Sequence, residues 1–190
     1  MKSYYHPAST TSRPLMLFAA ENGLDIDFRV IDLFSGEQLQ ETYGEINPNR
    51  FVPVLEDGDF RLAESSAILK YIADKIARVN ERMDWVNTQM CRDFAYGFVY
   101  PQISSMHKRP SEEVQAATIA WAKERAQSWL KILDQSLIGP KSAYLCGDQI
   151  TIADYFGAPF AALGSAIHCD YTAYPNVKRW LGNMKELKSW

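Results

Sequence analysis

Four hydroxyl side chains stand in a row, Ser9-Thr10-Thr11-Ser12, directly ahead of Arg13-Pro14 and an apolar-periodic stretch. A hydroxyl beside a helix N-terminus stabilises an anion through its hydrogen bond and the positive end of the helix dipole. A thiol with a reference pKa of ~8.5 could be held there as thiolate near neutral pH. No cysteine accompanies these hydroxyls, which excludes disulfide exchange through a Cys-x-x-Cys pair. A second spot is Val52-Pro53, inside the apolar run Phe51–Leu55. Proline cannot donate to a strand ladder, and a cis peptide there would turn the Val52 backbone outward to pair with an extended ligand. A third is Glu64-Ser65, at the start of another periodic run. Ser65 and its N–H suit a carboxylate, while Glu64 can accept from an ammonium group. The three together suit a small peptide carrying a thiol and carboxylates. Each also has a plain structural reading, as turn hydroxyls, an edge strand and a helix cap.

The elements that must position these groups alternate in the first part of the chain. Lys2–His6 and Phe28–Ile31 read as strands. Between them Leu15, Phe18, Ala19 and Leu24 recur at helical spacing, with Pro14 suited to the first turn, Ser12 to the N-cap and Gly23 to the end. Gly36–Tyr43 is a short helix. Val52–Glu56 and Phe60–Leu62 flank Asp57-Gly58, a strong hairpin signal. Ile68, Leu69, Ile72 and Ile76 mark a further helix. The order βαβ, α, hairpin, α implies a small mixed sheet.

Beyond about Ala77 no strand is convincing. Met83–Met106 and Ser111–Leu137 read as long helices, and Thr151–Ala166 and Pro175–Met184 as shorter ones. The expected domains are 1–77 and 84–190, joined by a polar linker over 78–83. Thr151-Ile-Ala-Asp154 is a capping-box variant that would nucleate a buried helix.

The bulk properties exclude several classes. The 190 residues are 47% hydrophobic and 23% charged, with net charge -3 and no basic block, so nucleic acid is not an expected partner. No apolar run approaches the ~20 residues of a membrane span. Cys91, Cys146 and Cys169 are scattered and odd in number, and His6, His107 and His168 share no ligand spacing. Neither a disulfide framework nor a metal site is expected, and a reducing, cytoplasmic setting fits. Aromatic residues of the Phe94–Met106 stretch could wall an apolar pocket, and Arg13 is a candidate charged contact or a surface residue.

From Tyr4-Tyr-His-Pro-Ala-Ser9 through Val52-Pro53 and Glu64-Ser65 to Thr151–Asp154, the chain resembles the cytosolic glutathione transferases over essentially its whole length. Its first segment is similar to the theta-like bacterial branch, which includes the dichloromethane dehalogenases and in which a serine activates the glutathione thiol. The resemblance implies a fold that is α/β plus all-α: a thioredoxin-like N-terminal domain with a mixed four-stranded sheet, and an all-helical C-terminal domain. It also implies a homodimer. Anchoring on Arg13 makes Ser9 the activating serine, with Thr10, Thr11 and Ser12 as alternatives, because Thr10-Thr11 replaces the more usual Gln-Pro. Val52 would pair with the cysteinyl backbone and Pro53 would be the cis proline. Glu64 and Ser65 would hold the γ-glutamyl end. Gln38, with Arg50 as a second contact, would meet the glycine carboxylate, and Phe51 stands where a polar or basic residue is more usual. A second, electrophilic and apolar substrate would meet His6, Arg13, Tyr96, Tyr100 and His107. The implied activity is glutathione conjugation, with no metal. The alternatives are a glutathione-dependent dehalogenase or isomerase and a non-catalytic binding module of the same fold.

Overall fold

The computed structural model describes residues 1–73 and 77–190. The chain divides into two compact units, Met1–Lys75 with Ser189 and Ile76–Lys188 with Trp190.

In the first unit, strands β1 (Lys2–Tyr5), β2 (Asp27–Val30), β3 (Val54–Asp57) and β4 (Phe60–Ala63) form one sheet in the order β2-β1-β3-β4. β1 runs parallel to β2 and antiparallel to β3, and β3 pairs antiparallel with β4. The crossover between β1 and β2 carries helix α1 (Arg13–Glu21), as a parallel pair requires. Helix α3 (Ser65–Ile72) follows β4. On one sheet face Leu15 and Ala19 of α1 and Ile68 of α3 close over Ile26 and Leu55. On the other, Tyr43 of the short helix α2 (Glu41–Gly44) joins Ile31, Val52 and Val54. The unit is a thioredoxin-like domain with a mixed sheet.

Local chemistry shifts several expected boundaries. β3 starts at Val54 rather than Val52, because Pro53 has no N–H for the ladder. Asp57 pairs with Phe60, so the hairpin loop is Gly58-Asp59, one residue beyond the expected pair, with Gly58 at φ +59°. The helix expected over Gly36–Tyr43 is interrupted. A 3₁₀ turn (Glu37–Leu39) and α2 are separated by Gln40, whose backbone is extended. Ile76, expected on the last helix of this unit, lies outside the described residues.

The second unit is helical. Residues 78–83, expected as a linker, are helical within α4 (Ala77–Trp85). The winding continues through wide turns over Val86–Val99 and ends with α5 (Tyr100–Ile103). α6 (Glu112–Ile132) is capped by Ser111, whose hydroxyl accepts from the Val114 N–H at 3.3 Å. α7 (Ile152–Ala162) and α8 (Pro175–Lys185) complete the unit. Close packing of the Val86–Val99 stretch on α6 depends on Gly97: a Cβ there would lie 2.9 Å from the Ala122 Cβ.

Two buried carboxylates organise this unit. Asp154, fully buried, forms the capping box of α7 with Thr151. Its carboxylate accepts from the N–H groups of Leu145 (2.7 Å) and Thr151 (2.8 Å), the Thr151 hydroxyl (3.0 Å) and the Trp180 indole (2.9 Å). Asp93, 2% exposed, accepts from Arg92 (2.9 Å), Arg125 (2.8 Å) and the Trp129 indole (2.7 Å). Burial opposes its ionisation, but hydrogen bonds from Arg92, Trp129 and Arg125 prevail and hold the carboxyl at about 2.

Candidate active site

The turn between β1 and α1 folds on itself. The Ser9 carbonyl accepts from the N–H groups of Ser12 and Arg13, both at 3.1 Å, and the Ser9 N–H donates to the His6 carbonyl at 3.0 Å. Ser12 was the expected side-chain cap, but it is fully buried and has helical backbone angles. Its hydroxyl faces the His6 N–H at 3.5 Å instead. The side chain that reaches the first turn is Ser9, whose Oγ accepts from the Ser12 N–H at 3.3 Å. Ser9 thus sits at the N-terminus of α1, half-buried, with a backbone N–H aimed at its oxygen.

Thr11 connects this turn to a distant segment. Its hydroxyl donates to the Val52 carbonyl at 2.8 Å and lies 2.9 Å from Ser9 Oγ. The Val52–Pro53 peptide is cis. The segment ahead of it is held at the Phe51 carbonyl, which accepts from the Tyr43 hydroxyl and the Asn47 amide, each at 2.8 Å. Phe51 itself is 72% exposed. Tyr43 and Asn47 are positioning residues that the sequence pattern does not single out. The turn signal Asn47-Pro48-Asn49 was the one clue, because an asparagine there bonds a nearby backbone.

Val54 pairs with Ala63 in the sheet, so Pro53 and Glu64 are each one residue beyond a paired position. Glu64 is exposed and has φ 71° and ψ 110° as the residue preceding α3. A non-glycine residue with positive φ is uncommon and is associated with functional sites at a cost of about 1–3 kcal/mol. Ser65 is buried, 7% exposed, in the first turn of α3. Ser9, Thr11, Val52, Pro53, Glu64 and Ser65 therefore belong to adjoining segments of one domain.

Gln38 and Arg50 have different situations. The Arg50 guanidinium donates to the carbonyls of Leu39 and Gln40. It braces the turn that carries Gln38. Gln38 Oε1 is buried without a hydrogen-bond partner among the described residues. Thr10 is not part of the hydroxyl network, and Arg13 is exposed at the start of α1. His6 is buried; its Nδ1 accepts from the Ala8 N–H at 3.0 Å and its ring meets Phe34 edge-on at 5.1 Å.

In the second unit, Tyr96, Tyr100 and His107 form one aromatic cluster. His107 stacks on Tyr100 at 4.9 Å, and Tyr96 meets Tyr100 edge-on at 5.0 Å. Burial, with the charge of Arg109, lowers the His107 pKa and favours its neutral ring. Among the described residues no group of three or more His, Cys, Asp or Glu side chains could hold a metal ion. No described helix is long and apolar enough to cross a membrane.

The chain thus joins a thioredoxin-like domain, with a cis-proline turn beside a hydroxyl-lined helix start, to an all-helical domain. Family models agree: the glutathione S-transferase N-terminal domain matches residues 8–75 and the C-terminal domain residues 84–188. The chain belongs to the glutathione S-transferase family. It is 30% identical over 172 residues to mouse glutathione S-transferase theta-3, covering 81% of this chain and 68% of that one. Its fold is similar to that of apo human glutathione-S-transferase T1-1, with a TM-score of 0.80 and 23% identity over 98% of this chain and 83% of that one. A glutathione transferase homologue from Sulfitobacter with bound glutathione is similarly folded, with a TM-score of 0.79 and 19% identity over 99% of this chain and 93% of that one.

Proposed function

We propose that this chain is a glutathione transferase of theta-like type in which Ser9 activates the glutathione thiol. The observation that carries the reading is Ser9 Oγ at the N-terminus of α1, linked through Thr11 to the carbonyl of Val52. The Val52 backbone would pair with the cysteinyl residue of glutathione, bringing its sulfur to the hydroxyl. Ser65, at the N-terminus of α3, and Glu64 would hold the γ-glutamyl carboxylate and ammonium. Gln38 would meet the glycine carboxylate. Arg50 would act there by bracing the Gln38 turn, since its guanidinium already serves the Leu39 and Gln40 carbonyls.

The Ser9 hydroxyl donates to sulfur, and the helix dipole favours the negative charge. The thiol proton leaves to solvent. The thiolate then attacks an electrophilic carbon of an apolar second substrate, forming a C–S bond and releasing any leaving group with its electron pair. Within the helical unit Tyr96, Tyr100 and His107 form an aromatic cluster, and within the first unit His6 and Arg13 flank the hydroxyl turn in sequence. The working form is a homodimer in the cytoplasm. Dehalogenation and isomerisation would use the same thiolate. One observation favours a binding module without turnover: the Ser9 hydroxyl lies against Thr11. Saturable turnover of electrophiles with glutathione excludes that module. Replacing Ser9 by alanine tests the main reading: turnover falls steeply while glutathione still binds, whereas unchanged turnover removes Ser9 from the role.

A further inference from the structure

We infer that Thr11 is a positioning residue that couples recognition of the peptide backbone at Val52 to activation of the thiol at Ser9. The inference rests on the reading of Ser9 proposed above. A threonine hydroxyl has one proton, and that of Thr11 goes to the Val52 carbonyl at 2.8 Å. The Ser9–Thr11 contact of 2.9 Å therefore has Ser9 as donor. Ser9 Oγ accepts in turn from the Ser12 N–H at 3.3 Å. The chain runs in one direction: Ser12 N–H to Ser9, Ser9 to Thr11, Thr11 to the Val52 carbonyl. In this arrangement the Ser9 proton points at Thr11 and not at a ligand.

Activation needs the Ser9 proton on sulfur. Turning that proton alone would leave two hydroxyl oxygens facing each other with no proton between them. The conflict disappears if Thr11 turns as well and donates to Ser9. Thr11 can do so once another donor satisfies the Val52 carbonyl. An extended peptide pairing with the Val52 backbone brings that donor, its own N–H. The chain then runs from Thr11 to Ser9 to sulfur, and the hydrogen bond Thr11 gives to Ser9 polarises the one Ser9 gives to the thiolate. The two hydroxyl protons change direction without any O–H bond breaking, and the one covalent bond that breaks is the thiol S–H, whose proton leaves to solvent. Backbone pairing at Val52 and thiolate formation at Ser9 become linked events, although the two residues lie on separate segments.

The charged or titratable side chains on, or bonded to, the segments that meet here include His6, Arg13, Tyr43, Arg50 and Glu64. They are present in every variant below, so a difference between variants reports the hydroxyls. The experiment measures the pKa of enzyme-bound glutathione by ultraviolet difference titration in wild type, Thr11→Val, Thr11→Ser, Ser9→Ala and the Ser9→Ala/Thr11→Val double variant. Thr11→Val keeps the shape of the side chain and removes the hydroxyl. It should raise the bound thiol pKa by about half a pH unit, a roughly threefold loss of thiolate in the titrating range, with little change in glutathione affinity. Thr11→Ser should restore the wild-type value. In the Ser9→Ala background Thr11→Val should change nothing, because Thr11 acts only through Ser9. If valine does not fit, Thr11→Ala reports the same loss. An equal shift in both backgrounds would mean that Thr11 meets the sulfur directly and would overturn the coupling. A pKa that moves with Ser9→Ala but not with Thr11→Val overturns this inference alone. A pKa that does not move with Ser9→Ala overturns the Ser9 reading and this inference with it.

Discussion

Two helix starts in this molecule carry similar residues and differ in what is left over. At α7, Thr151 and Asp154 satisfy each other and draw in the Leu145 N–H and the Trp180 indole. Asp154 is fully buried, with four donors on its carboxylate, and nothing there remains for a ligand. At α1, Ser9 and Thr11 are half-buried, and their chain ends on a single carbonyl of the turn preceding β3. A hydroxyl can redirect its one proton at small expense, whereas a buried carboxylate surrounded by four donors has no second arrangement. The saturated cap is a structural device. The re-aimable one is where chemistry can be done.

The largest expected effect lies at the saturated cap. Asp154→Ala strands the Leu145 and Thr151 N–H groups and the Trp180 indole, and should lower unfolding free energy by about 4 kcal/mol, read by urea denaturation. A loss below about 1 kcal/mol would mean that the cap does not organise the helical unit. At the open helix start the loss should be functional. Ser9→Ala should cut turnover on the order of a hundredfold and leave the denaturation midpoint nearly unchanged. A comparable loss of stability at Ser9 would erase the contrast.

Asp93 sharpens the comparison from the acid side. Its folded pKa of about 2 lies below the ordinary 3.8. Its contribution is therefore complete above about pH 4 and is lost as pH falls through about 2. Asp93→Asn should cost about 1–2 kcal/mol at neutral pH and flatten the acid limb of the stability profile. An unchanged acid limb would assign acid sensitivity to other carboxylates. The smallest effect is expected at Arg50, whose guanidinium braces exposed carbonyls. Arg50→Ala should weaken glutathione binding about threefold, on the order of 0.5–1 kcal/mol, with turnover at saturation retained.

Much of the fold was legible because the signals were local. Apolar spacing around Leu15 and Ile68, the Glu64-Ser65 helix start and the Thr151–Asp154 box each depend on neighbours a few residues away, and each element is present. Proline's missing N–H marked Val52-Pro53 as unusual, yet the expected strand began at Val52, whereas the ladder begins at Val54. The roles inside the site were less legible, because they are set across long separations. Thr11 meets Val52 across 41 residues, and no spacing rule anticipates that bond. Ser12 had the residue type of a cap but lies in the helical conformation, so Ser9 reaches the first turn in its place. Arg50 had a charge suited to a carboxylate, yet its carbonyl partners lie on a turn 10 and 11 residues back. Polarity over 78–83 suggested a linker, but a solvated helix face has the same composition.

The most direct test of the central claim is the ultraviolet signal of bound glutathione thiolate followed against pH in wild type and Ser9→Ala. The account predicts thiolate near neutral pH in the wild type and a titration moved to higher pH in the variant, with glutathione bound in both. Superimposable titrations of the two proteins would contradict it.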